Sequence, residues 1–273
     1  MTSSRVILGL AAAAVALTAG PANATVLFTG TGTNGGNPLS ASADFSLVGT
    51  TLTIVLKNTS TSNGVTETPT ETLSGLMFDV TGQSSGLTAG SAIASSIFNP
   101  GGCTGALPNA CSGSNVNVGG EWGYQFTAGH TNLIGSAGYV TTGIPGNPGN
   151  FGGVDLNGQA SLNGIDFAIL AASHDGLNGG LTNAGALVQT QVTLTLTGFT
   201  LGLDDLTNVV FQYGTSLTEP TTPGVCDQSN TVGDCPGGGG PGPGVPEPAT
   251  LFLLGSALLG YGAVRRRQQR PHS

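Results

Sequence analysis

The chain has 273 residues, of which only 7% are charged and 47 are glycine, and its formal net charge is -8. Between Thr25 and Gly244 a single cation, Lys57, stands against thirteen acidic residues. This span is therefore excluded as a nucleic-acid binder or a ligand of anionic lipid head groups, because both partners require several basic residues. Low charge, many small polar residues and abundant glycine favour short strands joined by tight turns.

The first 24 residues have the features of a secretory signal peptide. Arg5 supplies a short positive region, residues 6–19 form an apolar stretch suited to a helix, and Ala22-Asn23-Ala24 is a cleavage site of the A-x-A type. We expect export by the Sec machinery and cleavage after Ala24. An uncleaved membrane anchor is the alternative.

Strand patterns dominate residues 25–235. Apolar and polar residues alternate in Thr51–Asn58, where Leu52, Ile54 and Leu56 share one face, and again in Gln191–Phe199. Further candidate strands are Thr25–Gly30, Ser42–Gly49, Leu73–Thr81, Glu121–Ala128, Gly164–Ser173 and Asn208–Gly214. Strands with one apolar and one threonine-rich face predict an all-β fold, an antiparallel sandwich or jelly-roll-like body.

Four cysteines form two local pairs in the sequence, Cys103 with Cys111 and Cys226 with Cys235. Four cysteines allow three pairings, and each local pair spans a loop rich in glycine, proline and asparagine. Export makes oxidation favourable, so we expect two local disulfides. A metal site is the alternative, but neither CxxC spacing nor a nearby histidine supports it.

Residue types suited to catalysis are present, but the histidines of the sequence are isolated from one another. His130 and His174 stand alone, His272 lies in the extreme C-terminal segment, and the sequence contains no HExxH motif. A Ser-His-Asp triad assembled from distant residues is the remaining catalytic alternative. The sequence therefore predicts no catalytic residue, no cofactor and no enzymatic activity.

Three other features invite binding hypotheses, and each has a structural explanation. Parts of calcium sites are suggested by Asp204-Asp205 and by the loop Asp155–Gly158. Capping of turns by Asp and Asn side chains is the stronger explanation for both. The threonine row at 193, 195 and 197 suggests an ice-binding face, although only two strands show such a row. Trp122 and Tyr124 could stack on a sugar, but the only tryptophan of the chain is expected in the core.

The C-terminal region begins with a glycine- and proline-rich spacer at residues 236–244. Val245 and the triplet Pro246-Glu247-Pro248 follow it, and residues 249–264 then form an uncharged run that predicts a transmembrane helix roughly 24 Å long. Positive residues remain in the cytoplasm, so the body is expected outside it. The basic tail that sets this orientation is made of Arg265, Arg266 and Arg267.

This order of triplet, apolar helix and arginine cluster resembles the PEP-CTERM sorting signal of exosortase-dependent surface proteins. The resemblance covers about 29 residues, and its recognition motif corresponds to Pro246, Glu247 and Pro248. A GPI signal is the main alternative, but such signals usually end apolar and lack the triplet. Segments Gly119–Phe126, Gly153–Leu170 and Leu203–Pro220 also resemble proteins of this class.

The resemblance implies cleavage near the triplet by exosortase, a membrane protease or transpeptidase of Gram-negative bacteria that produce extracellular polysaccharide. The precursor is then expected in the inner membrane, and the mature body on the surface or in the extracellular matrix of a biofilm. We expect a non-enzymatic matrix protein. The alternatives are a module that binds the exopolysaccharide as a further partner, and a secreted hydrolase.

Overall fold

A computed structural model describes residues 24–61, 66–98, 114–129, 131–140, 149–153, 156, 162, 164–173, 176–183, 185–231 and 235–236. These residues belong to one compact unit that spans Asn23–Pro243. The predicted signal peptide before Ala24, the spacer after Pro236, the sorting triplet, the predicted transmembrane helix and the basic tail lie outside the described residues. No helix in the described part of the chain has the length and apolar character needed to cross a membrane.

The described residues are mostly β-strand, which confirms the predicted all-β class. The strands are β1 (Thr25–Asn34), β2 (Asn37–Val48), β3 (Thr51–Asn58), β4 (Leu73–Val80), β5 (Thr88–Phe98), β6 (Ser114–Asn117), β7 (Gly123–Phe126), β8 (Thr131–Gly135), β9 (Gly149–Asn150), β10 (Ile169–Leu170), β11 (Leu187–Thr197), β12 (Leu206–Tyr213), β13 (Thr221–Pro223) and β14 (Val225–Cys226). The helical segments are short: η1 (Pro69–Glu71), α1 (Gly179–Thr182) and η2 (Leu203–Asp205).

Alternation of apolar residues places the predicted core faces inside. Leu52, Ile54 and Leu56 of β3 are fully buried, and the apolar residues of β11 that pair with them, Leu196 and Leu194 among them, are equally buried. Threonines on the opposite faces of both strands are half-buried or exposed. The period of two residues therefore predicts both strands and their orientation correctly.

Hydrogen bonds join the described strands into one sheet. Its main path runs β14-β1-β2-β3-β11-β10-β4-β8-β7-β9, while β5 adds to β11 and carries β6, and β12 adds to β4 and carries β13. Most neighbours are antiparallel, but β10 and β11 run parallel through Ile169↔Val188 and Leu170↔Gln189. The prediction of an antiparallel sandwich or jelly roll is therefore correct only in part: most strand pairs are antiparallel, but the described strands form one mixed sheet.

A bulge in β11 connects the two halves of this sheet. One edge of β11 pairs with β10 at Val188 and Gln189, and with β3 from Gln191 onward. The pairing of β11 with β5 shifts register between Gln189 and Val192, and Thr190 there has a φ of 72°. A bulge bends its strand, so β11 can leave one half of the sheet and enter the other.

The core lies where the sheet folds back over itself. Phe45 of β2 contacts Phe78 of β4 with ring centroids 5.4 Å apart, although β2 and β4 are not neighbours in the sheet. Phe28 of β1 meets Phe45 edge-on at 5.6 Å. Gly30 of β1 lies so close to Phe211 of β12 that a Cβ there would be 2.6 Å from the ring. Face-to-face contact between the halves therefore buries the apolar side of each.

Several segments depart from the predicted strands, among them the turn before β10 and the whole of β5. The sequence predicts one strand over Gly164–Ser173, but residues 164–167 form a turn with positive φ at Gly164 and Phe167, and only Ile169–Leu170 pair as β10. Strand β5 is missing from the sequence-based prediction, because alanines occupy buried positions of its inward face, Ala92 and Ala94 among them. Small residues give a weak alternation signal, so pairing with β11 decides this strand.

Candidate functional site

The two ends of the described body meet at one edge of the sheet. Ala24, the predicted cleavage residue, is exposed and directly precedes β1. Cys226 of β14 pairs with Phe28 of β1 in antiparallel register, and Cys226 forms a disulfide with Cys235. This disulfide confirms one of the two predicted pairs. Cys103 and Cys111, like Ala22, lie outside the described residues.

The segment that follows β14 is fixed to β1 by backbone and side-chain hydrogen bonds. Asp227 N–H donates to the carbonyl of Leu27 at 2.7 Å, and Leu27 N–H donates to Thr231 Oγ1 at 3.2 Å. The Asp227 carboxylate accepts from Ser229 Oγ at 2.6 Å and from Asn230 Nδ2 at 2.8 Å, and these bonds lower its pKa. The segment that follows β14 therefore lies beside β1, the strand at the start of the predicted mature protein.

A second site is a cluster of buried carboxyl groups around η1. Glu71 is buried, and its carboxylate accepts from Thr68 N–H at 3.0 Å and from Asn37 Nδ2. Asn58 Nδ2 donates to the carbonyls of Glu71 at 3.1 Å and Ile169 at 3.0 Å, which ties η1 to β3 and β10. The cluster thus lies beside the junction of the two halves of the sheet.

Glu67 is the second acid of this cluster. It is fully buried, and its Oε1 accepts from Ala171 N–H at 3.0 Å. Its Oε2 has no hydrogen-bond partner within the described part of the chain. Burial raises the pKa of Glu67 to about 8, the bond from Ala171 opposes this shift, and the nearby Glu71 adds to it. Glu67 is therefore mostly a neutral carboxylic acid at pH 7.

Sequence reasoning did not single out Glu67 or Glu71. The signal that could have found them is Thr68-Pro69-Thr70-Glu71, which has the T-x-x-E spacing of a capping box and a proline in the first turn. That pattern predicts a helical turn in which Glu71 reaches back to the Thr68 N–H, as the structure shows. The burial of Glu67 depends on the distant segment around Ala171, so no local pattern predicts it.

The remaining candidate residues are found in structural roles or outside the described part. Asp205 accepts from Gly202 N–H at 2.9 Å and so caps η2, as turn capping predicts. Thr195 accepts from Ser91 N–H at 2.8 Å, so its hydroxyl is used within the sheet. Within the described ranges no three His, Cys, Asp or Glu side chains could together hold a metal ion. Candidates outside those ranges are His130, His174, His272 and Asp155.

Trp122 and Tyr124 belong to the core, which confirms the preference for packing over sugar stacking. Trp122 is fully buried, and its indole Nε1–H donates to the carbonyl of Phe167 at 3.2 Å. Tyr124 is buried, accepts from Leu87 N–H at 2.7 Å and donates to Asn132 Oδ1 at 2.8 Å. Neither ring is open to a ligand in the folded state.

This burial makes the only tryptophan a specific probe of folding. We expect Trp122 emission to be shifted to the blue relative to the unfolded chain and to be protected from iodide, because water and ions cannot reach its ring. Emission should not change when neutral polysaccharide is added. A red-shifted emission that iodide quenches in the native protein would contradict the placement of Trp122.

Comparison with known proteins identifies the C-terminal region. The described fold is that of a β-rich body with a disulfide next to its exit segment. Residues 244–267 match the family model of the PEP-CTERM protein-sorting motif, so the chain carries this signal, as the sequence predicts. No curated protein and no solved structure matches the chain significantly. The motif implies an exported surface protein that depends on exosortase and is anchored transiently in the membrane.

Proposed function

We propose that the mature protein is a non-enzymatic component of the cell surface or extracellular matrix in a Gram-negative bacterium that produces polysaccharide. The PEP-CTERM motif at residues 244–267 carries this proposal. Exosortase binds the triplet, cuts near it and releases or transfers the body. The biological role then lies with the β-rich body, which reaches its destination without the apolar tail.

The proposed precursor has four parts. Residues 1–24 are the signal peptide, 25–235 the body, 236–244 a flexible spacer and 245–273 the sorting signal with a transmembrane helix at 249–264. The arginines at 265–267 hold the tail in the cytoplasm, so the body lies outside. Face-to-face packing at Phe45 and Phe78 supports a sandwich-like architecture for the body.

The chemistry of the described residues supports a structural role. A carboxyl group with a strongly shifted pKa indicates a catalytic site when it lines a cleft, because a substrate can reach it only there. Glu67 has its pKa raised to about 8, but its side chain is fully buried. The indole of Trp122 is buried as well. Both groups therefore act in folding, and neither offers a surface to a substrate.

Replacement of the carboxylate in the triplet tests the sorting proposal. Glu247→Gln should leave export intact and make the uncleaved precursor accumulate. A pocket built for a carboxylate would lose roughly 2–5 kcal/mol of binding when it receives an amide. If Glu247 only began a helix, the change would cost about 0.3–1 kcal/mol and processing would continue. The intact mass of the exported protein, from a host that carries exosortase, measures the outcome.

Asp44→Asn is the matched control, because Asp44 is an exposed carboxylate on β2, far in sequence from the triplet. This variant should be processed like the wild-type protein. Normal cleavage of the Glu247→Gln variant would refute recognition of the triplet and leave an ordinary membrane anchor. Loss of export in that variant would instead point to a defect before the sorting step.

A further inference from the structure

Two buried hydroxyl groups, on Tyr213 of β12 and Thr222 of β13, have no hydrogen-bond partner within the described part of the chain. Both side chains are enclosed, with 0% and 1% of their surface exposed. A hydroxyl group loses its hydrogen bonds to solvent on burial, so it is nearly always paired inside a protein. These two hydroxyls therefore require a partner that the described residues do not supply.

The register of β12 and β13 brings the two side chains together. Phe211 pairs with Thr222 in antiparallel register. The ladder continues to Tyr213, whose N–H donates to the Pro220 carbonyl at 3.0 Å. Tyr213 lies two residues beyond Phe211, so it shares the face that carries Thr222. The two are diagonal neighbours, which lie within reach of an aromatic side chain, so the phenol approaches the threonine hydroxyl.

A third buried hydroxyl, that of Ser60 after β3, lies beside the phenol. Ser60 Oγ donates to the Ser40 carbonyl at 3.1 Å and accepts from Ser40 N–H at 2.8 Å. One lone pair of this oxygen is thus left to accept a further hydrogen. Burial raises the pKa of Tyr213, and the neighbouring hydroxyls of Thr222 and Ser60 oppose this rise, which places both beside the phenol.

We propose that one buried water molecule bridges the hydroxyl groups of Tyr213, Thr222 and Ser60. It accepts from the O–H groups of Tyr213 and Thr222 and donates to Ser60 Oγ, which gives it the three partners typical of an internal water. None of the three groups is charged, which favours water over a divalent cation. The site fixes β13, the strand before β14 and the disulfide, to the core. This inference is independent of the sorting proposal.

A high-resolution crystal structure of the mature exported protein tests the site directly. Ordered water is expected between Tyr213 and Thr222, at about 2.7–2.8 Å from each hydroxyl oxygen. Tyr124 is the control in the same electron density, because its hydroxyl already accepts from Leu87 N–H and donates to Asn132 Oδ1. No water should lie against it. A direct hydrogen bond between Tyr213 and Thr222, with no water between them, would refute the proposal.

A double-mutant cycle shows whether the two hydroxyls share one partner in solution. Tyr213→Phe and Thr222→Val each remove a hydroxyl group with little change of shape. Each should raise the equilibrium constant of unfolding about 5–30-fold, measured in urea by the emission of Trp122. The double variant should raise it by clearly less than the product of the two single effects. The reason is that the first substitution already leaves the second hydroxyl without its water.

Tyr124→Phe combined with Thr222→Val is the matched control for this cycle. The Tyr124 hydroxyl has partners of its own, so the effects of these two substitutions should multiply. If the effects of Tyr213→Phe and Thr222→Val multiply as well, the two hydroxyls have separate partners and the shared water is wrong. If neither single substitution changes the unfolding constant, no hydrogen bond holds these hydroxyls in the folded state, which also overturns the proposal.

Discussion

Replacement of Glu67 by glutamine should remove most of a pH dependence from the stability of the body. Glu67 is fully buried, and its pKa lies at about 8 in the folded protein against an ordinary value of 4.5. Between these values the unfolded chain loses a proton that the folded chain keeps. The free energy of unfolding therefore falls as pH rises through this window, by about 1 kcal/mol per pH unit.

Urea unfolding of the purified protein between pH 5 and pH 7.5 measures this slope. The Glu67→Gln variant cannot ionise at this position, so its curve should be flatter, and its stability relative to wild type should improve steadily with pH. Asp204→Asn is the matched control, because Asp204 is exposed on η2 and solvated in both states. Equal slopes for wild type and Glu67→Gln would refute the buried neutral carboxyl group.

Truncation of Phe45 should cause a large loss of stability. Phe45 of β2 is fully buried and contacts Phe28 of β1 and Phe78 of β4, so it joins the two halves of the folded sheet. Phe45→Ala removes a ring from the centre of the core and leaves a cavity between the halves. We expect the free energy of unfolding to fall by about 3–5 kcal/mol.

Phe126→Ala is the control for this substitution, because Phe126 of β7 is only partly buried at the margin of the core. Its effect should be less than half as large, since water already reaches part of its ring. Unfolding in urea, followed by the emission of Trp122, gives both values. A loss below about 1 kcal/mol for Phe45→Ala would mean that the halves do not pack through this residue.

A strand can be predicted from the sequence when large apolar side chains alternate clearly with polar ones along it. In β3 and β11 large aliphatic residues alternate with threonine, and this pattern predicts both strands with the correct faces. In β5 the inward positions include Ala92 and Ala94, so the same period is too weak to detect. At Gly164–Phe167 apolar residues suggest a strand, but positive φ values make a turn that leads the chain into β10.

The candidate sites, like the strands, are predictable from the sequence only where the pattern is local. The PEP-CTERM motif is a contiguous pattern, so the triplet, apolar run and arginines identify it from the sequence alone. The Cys226–Cys235 disulfide is equally predictable, because its partners are close in the chain. The perturbed Glu67 is not, because its burial comes from a segment 104 residues away.

By itself, the sequence determined the β class, the C-terminal sorting signal and one local disulfide, because each depends on residues that are neighbours in the chain or recur with a short period. Only the tertiary structure decided that the strands form a single mixed sheet, that Glu67 is enclosed, and that β14 lies against β1. These features arise from pairing and desolvation between distant segments. Their free energies depend on which surfaces meet, and local residue patterns do not contain that information.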